Sequence, residues 1–288
     1  MSSNISPTTW GKYQLVWGQQ THIMGIINVT PDSFSGDGLY TSDETVVQRA
    51  IEQAQRFMRD GATIIDVGGE STRPGGAVLI SAEQEVARVI PVIQQLRKEL
   101  PSSAIISIDT YKAEVAAQAL VAGANIVNDT WGLRQDPEIA AVASQHQVPV
   151  ILMANMRGFR KREIVSDVMR YLAGSIELAL QAGIHWEHII LDPGIGFGTT
   201  PAEDLTLQRR LGEFRSLGRP ILLGTSRKSH IGRILGGLPA GERLEGTAAT
   251  VVFGIAQGAD IVRVHDVREM ARVVKMSDAL VRGTYMLS

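Results

Sequence analysis

The apolar residues of this chain fall into short runs rich in Ile, Leu and Val that recur along its length. Five are "HIMGIIN" (His22 to Asn28), "AIISID" (Ala104 to Asp109), "PVILM" (Pro149 to Met153), "HIILD" (His188 to Asp192) and "PILLG" (Pro220 to Gly224). None alternates strictly, which predicts parallel strands covered on both faces. Three more lie in a repeated junction: "RDGATIIDVGG" (Arg59 to Gly69), "VAGANIVNDTWG" (Val121 to Gly132) and "AQGADIVRVHDV" (Ala256 to Val267). Each ends a helix, places glycine at the left-handed cap position, and runs through an apolar pair to a polar residue. Those polar residues are Asp66, Asn128 and Arg263.

Helical periodicity fills the intervals. In "SAEQEVARVIPVIQQLRKEL", Ser81 can cap and Gln84 completes a capping box three residues on. Val86, Val89, Ile90, Ile93 and Leu96 then share one stripe, with Pro91 an awkward guest that predicts a kink. Eight strand–helix units in about 265 residues predict an α/β fold, a (β/α)8 TIM barrel. A doubly wound sheet is the rival, but it would concentrate its chemistry at one Gly-rich turn, whereas here polar groups end nearly every strand. "YQLVWGQQTHI", Tyr13 to Ile23, alternates around a turn and predicts a hairpin closing the barrel's bottom. The expected organisation is an N-terminal hairpin or extension over residues 1–21, then one barrel domain over 22–288.

Composition narrows the function classes. With 288 residues, 44% of them hydrophobic, a large core is possible. The net charge of -2 marks no polyanion binder, so nucleic acid is not the expected partner. There are no cysteines, which excludes disulfides, thiolate metal sites and a cysteine nucleophile. No apolar run approaches the ~18 residues of a membrane span, and "MSSNISPTTWGKYQ" lacks a signal-peptide pattern. The expectation is a cytoplasmic protein without membrane partners.

In a barrel the strand C-termini surround one pocket. Reading them off gives Asn28, Asp66, Asp109, Asn128, Asp192, Arg263 and His265, with Lys228 just after the seventh strand. Taken singly, an aspartate there serves equally well as a helix cap, an asparagine as a turn residue and an arginine as a surface ion pair. Six to eight such groups at equivalent ends converge instead. Asp109, Asn128 and Asp192 offer oxygens that suit a flat heterocycle with a donor-rich edge. Lys228, Arg263 and His265, with Arg73 of "GESTRPGG" (Gly69 to Gly76), form an opposite, basic pole at the phosphate corner of a barrel. In "DPGIGFGTT" (Asp192 to Thr200), Phe197 is expected to be exposed and to wall an aromatic substrate; a buried anchor is the plainer alternative. His22, His146, His185, His188 and His230 show no ligand spacing, and HExxH and Walker patterns are absent.

One stretch raises its own question. After the first apolar run, "NVTPDSFSGDG" (Asn28 to Gly38) turns polar and acidic without a lysine or arginine.

Together "MGIINVTPDSF", "DVGGESTRPGG", "ISIDTYKAEV", "NIVNDTWG", "DPGIGFG", "GTSRKSHIG" and "GTAATVVFGIAQGADIVRVHDV" resemble, in order, the motifs of dihydropteroate synthases. The resemblance implies a pterin-binding barrel that joins 6-hydroxymethyl-7,8-dihydropterin diphosphate to 4-aminobenzoate, giving 7,8-dihydropteroate and diphosphate in folate biosynthesis. It implies that Asp109, Asn128, Asp192 and Lys228 hold the pterin, and that Asn28, Thr72, Arg263 and His265 hold diphosphate. It implies that Thr72, Arg73, Pro74, Phe197 and Ser229 line the aminobenzoate region. Asn28, Asp109, Lys228, Arg263 and His265 are then the expected catalytic set. Mg2+ is the implied cofactor, with Asn28 its ligand, and a homodimer through barrel helices is the implied assembly. The acidic stretch would be a lid over a reactive cation, carrying Asp32, Phe34 and Asp37.

Three positions depart from the family's pattern. Ala154 stands where histidine is usual, Thr199 where lysine is common, and "SFSGDG" places Asp37 one residue late. Two other readings stay open: a pterin-barrel methyltransferase acting between a folate and a corrinoid, and a non-catalytic pterin binder. The first has less use for a basic corner; the departures motivate the second.

Overall fold

The structure, a computed structural model, describes residues 5–30, 43–70 and 79–284, with side chains from residue 46 onward in the helix that begins at 43. A two-stranded antiparallel hairpin comes first, β1 (Thr8–Trp10) and β2 (Tyr13–Leu15). Eight parallel strands follow: β3 (His22–Asn28), β4 (Ile64–Gly68), β5 (Ile105–Asp109), β6 (Ile126–Asp129), β7 (Val150–Met153), β8 (Ile189–Asp192), β9 (Leu222–Leu223) and β10 (Ile261–Val264). Their spatial order is β8-β7-β6-β5-β4-β3-β10-β9. A parallel bridge between Leu191 and Ile221 joins the two ends of that order. The sheet is thus a closed (β/α)8 barrel.

Helices occupy the intervals: α1 (Asp43–Arg59), α2 (Ala82–Glu99), α3 (Ala113–Ala122), α4 (Glu138–Gln145), α5 (Ile164–Gln181), α6 (Pro201–Arg209), α7 (Ser229–Ile234), α8 (Leu244–Ala256) and α9 (Val267–Arg282). The Ser81 capping box forms as expected, and Pro91 sits within α2 on its exposed side. There its missing N–H and ring face solvent. The buried stripe of α2 is Val89, Val92, Ile93 and Leu96. At the three repeated junctions Gly61, Gly123 and Gly258 all have positive φ, as the cap pattern requires.

The hairpin lies earlier than Tyr13 to Ile23. It turns at Gly11, whose φ of 51° suits glycine, and His22–Ile23 already belongs to β3. It does cover the N-terminal end of the barrel. Thr8 Oγ1 donates to the Glu187 carbonyl at 2.6 Å, Trp17 Nε1 donates to Thr8 Oγ1 at 3.1 Å, and Trp10, Leu15 and Trp17 join the buried core. The opposite end, where the strands finish, is therefore the open one.

Candidate active site

The register sets out the mouth of the barrel. Asn28 pairs with Gly68, Gly68 with Asp109, and Asp109 with Asn128, so four neighbouring strands end in one row. Gly68 brings that row close to Asp109: a Cβ there would stand in van der Waals contact with the Asp109 Cβ, at 3.4 Å. Across the barrel, Asp192 ends β8 in register with Met153 of β7.

Arg263 links this row together. From β10 its guanidinium reaches past β3, with Nε donating to Asp66 Oδ2 and Nη2 to Asp109 Oδ2, both at 2.6 Å. Asn128 Nδ2 also donates to Asp66 Oδ2, at 3.2 Å. Asp66 is completely buried, and it caps no helix. The expected separation of an acidic head from a basic pole is thus incomplete: Arg263 stands among the carboxylates. The cause is its register opposite Met24, below the rim, from which a long side chain crosses to β4 and β5. Asp129, one residue after Asn128, faces the other way and accepts from the backbone N–H groups of Trp131 and Leu133. The strand's alternation gives Asn128 to the mouth and Asp129 to the turn.

Burial and charge shape the titration of these groups. Burial pushes the Asp109 carboxyl up to about 7, against the pull of Arg263 and with the push of Asp66. Burial also lifts Asp192 to about 6, opposed by the Gly194 N–H, Lys228 and Arg263. Lys228 is lowered to about 8 by burial, which outweighs the nearby Asp192. Burial pulls Arg263 down, but Asp66 and Asp109 outweigh it and hold its pKa above the ordinary value.

The β8 loop carries Phe197. Its ring is only 9% exposed, not open to solvent as expected. Lys228 Nζ stands 4.2 Å and the Arg157 guanidinium 5.0 Å from its centroid. Phe197 therefore walls Lys228, whose stem also passes Gly196. Ala154 is fully buried under this loop, and a Cβ on Gly194 would fall 1.8 Å from its carbonyl oxygen.

His265 follows β10 and is oriented by Ser226. Ser226 Oγ accepts the backbone N–H of His265 at 3.2 Å and lies 3.0 Å from its Nδ1. Nothing in the sequence marks Ser226 beyond its place in "GTSRKSHIG". Arg227 is held beside it by a double hydrogen bond to Asp266 and by Thr247 Oγ1 on its backbone N–H, at φ 58°. Ser229 is exposed at the start of α7.

Asn28 is half-buried at the end of β3 and offers one neutral amide oxygen. Among the described residues no three His, Asp or Glu side chains group as a metal shell. This donor set fits a Mg2+ ion bound mainly through phosphate oxygens and water. Asp32, Phe34 and Asp37, and likewise Thr72, Arg73 and Pro74, lie outside the described residues.

The barrel, with its carboxylates, amide and lysine facing one mouth, belongs to a defined class. The family model described as pterin binding enzyme matches residues 24–265, and the chain belongs to that family. Within it the resemblance is to dihydropteroate synthases. The chain is 50% identical to that of Bacillus subtilis (strain 168) over 266 residues, covering 92% of this chain and 90% of the relative. The dihydropteroate synthase of Clostridium difficile, solved in the presence of pteroic acid, is 47% identical with a TM-score of 0.87 and covers 93% of this chain and 99% of that one. The enzyme of Xanthomonas albilineans with 4-aminobenzoic acid is 36% identical, with a TM-score of 0.88 and coverage of 96% and 98%.

Proposed function

We infer that this chain is a dihydropteroate synthase, a transferase of folate biosynthesis. It condenses 6-hydroxymethyl-7,8-dihydropterin diphosphate with 4-aminobenzoate. The observation that carries the reading is the convergence of Asp109, Asn128, Asp192 and Lys228 on one barrel mouth, in a chain half identical to a known synthase.

In this reading Asp109, Asn128 and Asp192 accept from and donate to the pterin edge, and Lys228 touches its ring. Arg263 and His265, with Thr72 and Asn28, receive the diphosphate. Thr72, Arg73, Pro74, Phe197 and Ser229 border the aminobenzoate. Mg2+, when bound with the diphosphate at Asn28, supplies positive charge for the departing oxygen. The methylene carbon–oxygen bond breaks with its electron pair leaving on diphosphate, and the dihydropterin ring delocalises the resulting cation. The aryl amine lone pair then forms the new nitrogen–carbon bond, and the amine loses a proton. No enzyme nucleophile takes part.

The reading extends to assembly and place. Exposed apolar side chains on α7 to α9 include Ile234 at 56%, Phe253 at 43%, Met276 at 59% and Leu280 at 72%. A second copy of this chain covers such a face in a homodimer. No described helix is long and apolar enough to cross a membrane. The partners are small molecules, with no nucleic acid, and the location is the cytoplasm.

The test follows diphosphate release from the pterin diphosphate with Mg2+, with and without 4-aminobenzoate. Stoichiometric dihydropteroate is the expected product. Release without the amine supports departure before attack. Tight pterin binding with neither release nor product would replace the synthase by a non-catalytic pterin binder.

A further inference from the structure

Thr199 and His230 were left without a role by the site described above. The structure joins them through Asp204. Asp204 and His230 are both buried, with side chains 3% and 1% exposed. Asp204 Oδ1 accepts the Gly196 N–H at 2.8 Å and the Thr199 hydroxyl in a short contact. Asp204 Oδ2 lies 3.4 Å from His230 Nδ1, a long approach for a hydrogen bond. His230 Nε2 lies 3.1 Å from Gln208 Nε2.

The tautomer follows from Gln208. Its amide nitrogen donates to the Asp204 backbone carbonyl at 3.1 Å, an acceptor-only group that fixes which end of the amide faces it. The same nitrogen faces His230 Nε2, which must therefore accept. The ring proton then sits on Nδ1, whose nearest carboxylate oxygen is Asp204 Oδ2, at 3.4 Å and outside hydrogen-bond geometry. Asp204 thus stands between donors of the β8 loop, hydrogen-bonded to Oδ1, and the His230 ring of α7, in electrostatic contact with Oδ2.

Those two elements hold Lys228 between them. The β8 loop presents Gly196, where a Cβ would be 3.2 Å from the Lys228 Cδ, and Phe197, whose ring lies on Nζ. His230 follows Lys228 by two residues, at the start of the helix that Lys228 leads into. We propose that Asp204, with Thr199 and His230, is a positioning residue that clamps the Gly194–Gly198 turn to α7 and so fixes Lys228 in the pterin site. The proposal rests on the synthase reading for what Lys228 does, and it gives Thr199 a purpose in place of lysine.

The donor arrangement makes a specific demand. Asparagine at 204 is isosteric, yet its amide NH2 must face either the Gly196 N–H or the His230 Nδ1–H. Either way one donor opposes another. Asp204→Asn should therefore behave nearly as badly as Asp204→Ala, which a role in packing alone does not require. Thr199→Val keeps the shape and loses the hydroxyl, while Thr199→Ser restores it.

The experiment measures kcat and KM for the pterin diphosphate, the pH profile of kcat/KM, pteroic acid affinity by calorimetry, and thermal stability. Asp204→Asn and Asp204→Ala are expected to lower kcat/KM by about tenfold or more, the factor for a lost charge-assisted hydrogen bond. Thr199→Val is expected to show a smaller loss and Thr199→Ser full recovery. In Thr199→Val, which leaves the Asp204 charge in place, the alkaline limb of the profile should also move upward, because a loosened turn admits water to Lys228; in the Asp204 variants the lost carboxylate lowers Lys228 and opposes that shift. The groups facing that ammonium are Asp192, Arg263, Asp204 and Arg157, with the Phe197 ring. The clamp is refuted if Asp204→Asn keeps the kcat/KM of wild type and Thr199→Val keeps its alkaline limb, with only thermal stability lost. If the wild type turns over no substrate, the synthase reading fails separately, and pteroic acid affinity across the same variants still decides the clamp: tenfold weakening in Asp204→Asn upholds it, unchanged affinity ends it.

Discussion

Asp109 supplies the sharpest quantitative test of the pterin site. Its carboxyl is pushed up to about 7 by burial, despite the guanidinium of Arg263 at 2.6 Å. A ligand that donates to this carboxyl binds the ionised form. Affinity is therefore complete above the ligand-free pKa and is lost as pH falls through it. One unit below a pKa of about 7, roughly nine in ten molecules carry the proton, and affinity drops about tenfold, or about 1.4 kcal/mol. Asp192, at about 6, adds a second tenfold per unit at lower pH.

The assay is calorimetric titration with pteroic acid from about pH 5 to about pH 8, in buffers of different ionisation enthalpy, which reports protons released on binding. Between the two carboxyl pKa values close to one proton should leave per ligand bound; below both, close to two. The ligand's own ionisation appears equally in Asp109→Asn, so the difference between the two proteins isolates Asp109. Affinity that stays flat across this range in wild type, or a proton count identical in Asp109→Asn, would refute the assignment of Asp109 as an ionised acceptor for the pterin.

The barrel was legible because its strands repeat one plan. Capped helix, glycine, apolar run and terminal polar residue recur often enough to fix both the fold and the end at which the chemistry gathers. Asn28, Asp109, Asn128 and Asp192 could be placed because a strand terminus fixes where a short side chain starts and ends. Arg263 could not be directed the same way. Its guanidinium lies far from its own Cα, and its partners Asp66 and Asp109 stand 197 and 154 residues away in the chain. Phe197 misled for a similar reason: glycines on both sides suggest exposure, but the loop folds onto Lys228 and Arg157. Thr199 looked like a simple departure from lysine because its partner, Asp204, is visible only once α6 has turned back over the loop. Short polar side chains at strand ends can be located from the pattern; long ones, and loop contacts, depend on the closed barrel.

Three further outcomes follow from packing and charge. Gly194→Ala, at φ 72° with its Cβ meeting the Ala154 carbonyl at 1.8 Å, should cost at least about 2 kcal/mol in urea unfolding, and an unchanged midpoint would contradict the backbone geometry. Lys112→Met strips the cation that Glu70 and Glu85 share at 2.7 and 2.5 Å; about 3–5 kcal/mol is expected in chemical denaturation. Burial already raises the Glu85 pKa, so the variant's deficit should grow with rising pH as that carboxyl is forced to ionise, and a deficit independent of pH would argue against it. Leu280→Glu places a charge at a side chain 72% exposed on α9, where a lone monomer tolerates it within about 0.5 kcal/mol. In a dimer joined through that face the same charge is buried against a second apolar surface, so sedimentation should show dissociation with the barrel's own unfolding little changed; a variant that sediments as wild type would move the subunit contact elsewhere.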